Sequence, residues 1–290
     1  MPFDEARMRA ASAAFDLYGK GAHPAALNFP DCKATNASLS LPVPAALSRL
    51  YEWHESLKTG YHKAMSNLYF RTIRTAVIGA AAFLAIIFIP AWTLDYWQGW
   101  LFVATLSISS AFVTIYMALF DQQLFESRLR AGPTAETTPV QKIITTVGLP
   151  VFVAAIIIMV LDHRFRWSPP VPAYLSILGD AFSVLGILIY FLVIRENRYA
   201  ASTIKVAEHQ AVVSTGPYAI VRHPMYAGAI LVCVAAPLAL GSWWGLLFTP
   251  LFFAWFAWRL LNEEEFLRTN LQGYEEYTRK VRYRLAPHIW

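Results

Sequence analysis

Beyond position 70 the chain is organised by long apolar blocks separated by short polar or charged connections. Thr75–Trp92, Trp97–Phe120, Ile143–Leu161 and Ala173–Ile194 each supply about 18 to 24 residues. At 1.5 Å of rise per residue, each is long enough to cross a hydrocarbon layer of about 30 Å. They are expected to be four transmembrane helices. A last apolar stretch, Met225–Trp258, is interrupted by Pro237 and by Gly241 and Ser242. Its two arms of about 16 residues, near 24 Å each, suggest a helical hairpin that is tilted or spans incompletely. Pro90, Pro150 and Pro237 each lack a backbone donor and are expected to kink their helices. The predicted fold is an all-α membrane protein of about six transmembrane helices, four spans plus a C-terminal hairpin, followed by a helical tail.

Composition agrees with that class. Hydrophobic residues make up 57% of the 290 and charged residues only 15%, with mean hydropathy +0.41; a soluble domain carries roughly 25% charge. Ten Trp, fourteen Tyr and nineteen Phe suit belts at the membrane–water interfaces. The net charge of +5 is dispersed between the apolar blocks, which fits loops beside an anionic leaflet and excludes a nucleic-acid stripe. Cys32 and Cys233 lie in unlike surroundings with no ligand spacing, so neither a disulfide framework nor a metal site is expected.

Basic residues in short loops give an orientation. Lys63, Arg71 and Arg74 precede the first helix, Arg128, Arg130 and Lys142 lie between the second and third, and Arg195, Arg198, Lys205 and Arg222 lie between the fourth and fifth. The opposite connections carry only Arg164 and Arg166. The N-terminus, the 195–224 connection and the tail are therefore expected on the cytoplasmic side, in a multi-pass protein of the bacterial inner membrane type.

Residues 1–64 form a distinct compositional zone without an apolar secretion signal, set apart from a membrane domain over 65–290. Within it, FDLYGKGAHPAALNFPDC, Phe15 to Cys32, resembles the C-terminal part of VapC-type PIN-domain toxin ribonucleases. The carboxylates of a complete metal site are missing around Asp31, so the stretch reads as a remnant without nuclease activity, or as an ordinary polar extension. Lys33–Pro44, rich in Ala, Ser, Thr, Asn and Pro, reads as a linker.

The most informative segment is GPYAIVRHPMYAG, Gly216 to Gly228, which leads into an apolar run and is followed about thirty residues later by Arg259 and the acids Glu263, Glu264 and Glu265. Charged and imidazole groups beside a hydrocarbon span are costly and are kept where they line a polar cavity or do chemistry. With EHQAVV at Glu208–Val213 and GYEEYTRKVRYRLAP at Gly273–Pro287, residues from about 65 to 290 resemble the isoprenylcysteine carboxyl methyltransferase and phospholipid methyltransferase superfamily of integral-membrane enzymes.

The resemblance implies methyl transfer from S-adenosyl-L-methionine to a lipophilic, membrane-accessible acceptor, with a cofactor pocket among the C-terminal helices. The lack of a GxGxxG turn agrees with that. By the same resemblance Tyr218, His223, Pro224, Met225 and Tyr226 line the cofactor. Gln210, Ala211, Val212 and Val213 contribute mainly backbone contacts, and Glu263, with Glu264 second, receives the cofactor ammonium. Gln210 stands where the family often has His, which removes an ionisable ring. Arg259 would face the acceptor and orient it. The chemistry is coherent: acids suit an ammonium, donors a carboxylate, and flat or apolar walls the adenine and sulfonium. Local alternatives exist: His223 before Pro224 suits a helix cap, and Arg259 with Glu263 suits an ordinary i,i+4 pair. Tyr274, Tyr277, Trp243 and Trp244 are assigned to packing or interfacial anchoring.

The expected reaction is in-line displacement at the sulfonium methyl carbon, promoted by positioning in a dry site. Carboxyl O-methylation is the leading expectation, with phospholipid N-methylation or thiol S-methylation as alternatives. A transport or binding protein would be expected to show repeated halves, and the sequence shows none.

Overall fold

The computed structural model describes residue 70 and residues 72–129, 136, 138–199 and 210–290. The PIN-like stretch, the linker, Glu208 and His209 lie outside the described residues. The chain divides into a unit ending at Val77, of which only the opening turns of the first helix are described, and a main unit, Ile78–Trp290.

All regular structure among the described residues is helical. Helix α1 (Thr72–Ala91) is followed by α2 (Trp97–Phe120), a short α3 (Gln122–Leu129), α4 (Pro139–Phe165) and α5 (Ala173–Glu196). Then come α6 (Pro224–Ala239), α7 (Thr249–Asn270) and α8 (Tyr274–Lys280), with 3₁₀ turns at Gly216–Ala219 and Trp244–Phe248. Among the described residues five segments are long and apolar enough to cross a membrane, the fifth being Trp244–Asn270. Their outward faces are apolar: Ile108 is 71% exposed, Leu119 65% and Leu149 66%. Such surface is stable against lipid and costly against water, so this is an integral membrane protein.

Local chemistry sets the helix starts. The Thr138 hydroxyl accepts from the Gln141 amide (3.3 Å) and Pro139 occupies the first turn of α4; Pro224 does the same for α6 behind His223, whose carbonyl accepts from Ala227. Tight packing comes from glycine. A Cβ on Gly186 would lie 2.6 Å from the Gly228 carbonyl oxygen, and the reverse substitution meets the Gly186 oxygen at the same distance, so α5 and α6 touch backbone to backbone. Gly179 meets Ala235 and Ala239 in the same way one level along.

Three expectations need correction. The third and fourth spans are longer than their apolar cores, because polar first and last turns such as Gln141 and Glu196 stay helical. Helices α4 and α6 run through Pro150 and Pro237; the hairpin breaks only at 240–243, where the Gly241 and Ser242 amides bond back to Leu238 and Pro237. The hairpin arms are also unequal. The second continues through Arg259 to Asn270, so Arg259, Glu263 and Glu264 share one uninterrupted helix.

Contacts between turns define the two ends of the bundle. At one end Arg164 donates to the Pro90 carbonyl, the Tyr96 hydroxyl to Leu240 O, and the Ser242 hydroxyl to Asp162. At the other end lie α3, the start of α4, the 216–224 segment and the end of α7.

Candidate functional site

The start of α6, the end of α7 and the tail are joined by one buried acid. Glu264 is 3% exposed. Its Oε1 lies 3.1 Å from Arg222 Nε and 3.3 Å from His223 Nε2, and its Oε2 accepts from Arg284 Nε at 3.1 Å, with Arg268 at 3.7 Å. The backbone repeats the junction, since the amides of Arg222 and His223 donate to the carbonyls of Tyr283 and Arg284 at 2.9 Å. Charge pairing and backbone pairing together pin the tail under the 221–224 turn.

A second network lies beside it. The Tyr226 hydroxyl donates to Glu263 Oε2 and accepts from Arg259 Nε (3.2 Å), so the two charged groups communicate through a phenol. Arg259 also donates to Gln141 Oε1 (2.8 Å) and Thr145 Oγ1 (3.2 Å), and pairs with buried Glu136 at 2.9 Å. Gln141 in turn donates to Asn262 at 2.7 Å. The i,i+4 spacing of Gln141 and Thr145 puts both on one face of α4, opposite the Arg259 face of α7.

Aromatic and sulfur groups form the third part. The Tyr226 ring stacks on His223 at 5.8 Å and leans on Phe256 at 5.9 Å. Arg128 of α3 donates to Met225 Sδ at 3.5 Å and sits 5.2 Å above the Tyr190 ring. Burial lowers the Arg128 pKa, the phenols of Tyr190, Tyr218 and Tyr226 acting against it. Tyr218 accepts from Asn197 at its hydroxyl and from Tyr277 at its carbonyl. Burial pushes the Tyr218 phenol up to about 12, with the Asn197 bond opposing, so it is neutral at physiological pH. Val212 and Tyr218 pack against Leu271, Tyr274 and Tyr277, which fixes the 210–213 strand of chain against α8.

The structure thus brings His223, Pro224, Met225 and Tyr226 beside Glu263, Glu264 and Arg259, and ties Val212 and Tyr218 to the same end through the tail helix. Gln210, Ala211 and Val213 lie on the segment leading to Tyr218. Sequence reasoning missed Arg128, Glu136, Gln141, Thr145, Arg222 and Arg284. Gln141 and Thr145 left a readable trace, a polar i,i+4 pair at the head of an apolar block. Arg128 was read only as a topogenic charge, and Glu136 left no periodic signal.

The helical membrane bundle thus gathers acids, arginines, tyrosines and a histidine at one end. Residues 174–272 match the family model described as Phospholipid methyltransferase, a family of membrane methyltransferases. The matched segment, roughly a third of the chain, runs from α5 to just beyond α7 and contains both the 216–228 motif and the Arg259–Glu264 face. No curated protein matches the chain.

Proposed function

We propose that this protein transfers a methyl group from S-adenosyl-L-methionine to a lipid-borne acceptor at the cytoplasmic mouth of the bundle, and that the acceptor is the amine of a phospholipid headgroup. The observation that carries the reading is the Glu263–Tyr226–Arg259–Glu136 chain inside the segment that matches the phospholipid methyltransferase family. The residues suit the cofactor. Glu263 is a half-buried acid with one oxygen on Tyr226, and its place fits the cofactor ammonium. Arg128 is a cation for the carboxylate, and the faces of Tyr226 and Tyr218 are flat walls for adenine and sulfonium. Glu264 is committed to the tail through four basic partners and serves the site by holding His223 and Arg222 in place.

The cofactor supplies an electrophilic methyl carbon on a cationic sulfur. The chain's own residues bind, orient and dry the site, and alignment of this kind contributes up to about 7–11 kcal/mol in favourable cases. Arg259 is neutralised by Glu136 and linked to Glu263 through Tyr226, which weakens the case for capture of a carboxylate acceptor and supports an amine. Glu136, 5% exposed and paired with Arg259, is our candidate to take the proton that the ammonium headgroup must lose before its nitrogen attacks.

The test is incubation of membranes containing the full chain with methyl-labelled S-adenosylmethionine, followed by separation of lipid classes. Label in an N-methylated phospholipid, lost in Glu263→Gln and Glu136→Gln, is the expected result. Label confined to carboxyl esters would restore the alternative acceptor. Absence of cofactor binding to folded protein by calorimetry would remove the whole reading.

A further inference from the structure

The end of the bundle opposite Glu263 holds a cavity of about 750 Å³, within the range of about 300–1,000 Å³ typical of small-molecule sites. It lies between the α1–α2 and α4–α5 turns, and its wall includes Trp92, Asp95, Trp97, Gln98, Arg164 and Arg166. Neither the 216–228 motif nor the acids of α7 contribute to it. Two independent features mark it as a built site.

Its rim carries backbone strain. Trp92 (φ 57°) and Arg166 (φ 51°) are two non-glycine residues in the left-handed region, and both line the cavity. Large side chains avoid that region unless surrounding structure holds them there, and such positions concentrate at ligand clamps. The floor is fixed: buried Asp162 accepts from the amide and hydroxyl of Ser168 (2.9 and 2.8 Å) and the Ser242 hydroxyl (2.6 Å), while His163 stacks on Tyr96 at 3.8 Å.

The charges specify that ligand. Arg164 and Arg166 offer guanidinium donors for a phosphate, with Arg164 held over the Trp92 and Phe165 rings at 5.5 and 5.0 Å. Asp95, also in the wall, suits an ammonium. Exposed Trp92, Trp97, Trp100, Trp167 and Trp244 cluster at this end and place the opening at headgroup depth. We infer that this cavity binds the headgroup of a zwitterionic phospholipid of the far leaflet, phosphate on Arg164 and Arg166 and ammonium on Asp95. The site is separated from the methyl-transfer mouth by the length of the spans, so it holds a structural or regulatory lipid rather than the acceptor.

The experiment titrates detergent-solubilised full-length protein with short-chain phosphatidylcholine, short-chain phosphatidylglycerol and inorganic phosphate, following heat and thermal unfolding. Phosphatidylcholine has no methyl-accepting nitrogen left, which keeps the acceptor reaction out of the measurement. Saturable binding of phosphatidylcholine is expected, weakened at least about tenfold in Arg164→Ala/Arg166→Ala and in Asp95→Asn. The same binding should persist in Glu263→Gln, so failure here is distinguishable from failure of the methyltransferase reading. Unchanged binding in the double arginine variant overturns the site. Phosphate binding as tight as the lipid would replace a lipid site by a soluble-anion site, and phosphatidylglycerol equal to phosphatidylcholine would remove the ammonium pocket. If the double variant fails to fold, Arg166→Ala alone, on an exposed position, carries the same test.

Discussion

Replacing Glu264 by Gln tests whether one buried charge holds the tail on the site. The carboxylate serves Arg222 and His223 on one oxygen and Arg284 on the other, and both Arg222 and Glu264 side chains are at most 6% exposed. Removing one member of a buried pair costs about 3–5 kcal/mol, because the guanidinium left behind can neither reach water nor find another anion. The half-exposed Arg268 adds at most about 1 kcal/mol. A unit of this size loses about 2–4 °C per kcal/mol, so a fall in Tm of about 6–20 °C is expected. Thermal unfolding followed by tryptophan fluorescence would measure it. Limited proteolysis should in parallel cleave the 281–290 segment, since its backbone pairing to Arg222 and His223 loses its anchor. A shift below about 2 °C with the tail still protected would refute the argument. The paired replacement Arg222→Met/Glu264→Leu separates pairing from packing: the most buried guanidinium goes with its acid, and Arg284, 26% exposed, keeps access to water, so part of the loss should be recovered.

Four further outcomes follow from the same structure. Tyr226→Phe removes the phenol between Glu263 and Arg259; with two charged partners each bond is worth about 1.5–3 kcal/mol, and calorimetry should show cofactor affinity reduced at least about tenfold. Gly228→Ala drives a methyl group to 2.6 Å from the Gly186 carbonyl and should cost about 1–3 kcal/mol in thermal unfolding, with no rescue by lipid. Asp180→Asn should be neutral or stabilising, because the carboxylate of Asp180 is buried in α5 beside the Thr105 hydroxyl with no basic partner among the described residues; a lowered Tm would refute this. Tyr218 should ionise only near pH 12 against about 10 for an exposed tyrosine, so Tyr218→Phe should leave the phenolate absorbance recorded at pH 10 unchanged.

The spans were legible because a bilayer imposes a length and a polarity on any segment that crosses it. Trp97–Phe120 was bounded to the residue, since Tyr96 and Asp121 flank it with polar groups. Boundaries failed where polarity and helicity part company. Gln141, Arg259 and Glu264 are polar yet helical, because neighbouring helices supply their partners, and a hydropathy criterion stops short of all three. Pro237 misled for a related reason: its missing donor is tolerated inside α6, and the turn forms four residues later, where Gly241 adopts φ 70°.

The site divides along the same line. The 216–228 motif and the acids near 263 could be found because they are charged groups on apolar helices; Glu263 was ranked above Glu264 on its spacing from Arg259, but the partners that separate the two were not legible. A helix turns by about 100° per residue, so Glu263 and Glu264 face different neighbours although they touch in sequence. Glu264 looks toward the 221–224 turn and the tail, where Arg222, His223 and Arg284 consume it. Glu263 looks toward Tyr226 and the Arg259–Glu136 pair. The first position is closed on all sides by basic groups of the chain itself, and an acid closed in that way has no capacity left for a cationic ligand. The second is closed on one oxygen by a neutral phenol, so its charge remains to be answered. A cofactor that presents an ammonium and a sulfonium together would answer it, which is why we propose Glu263, and not Glu264, as the cofactor acid.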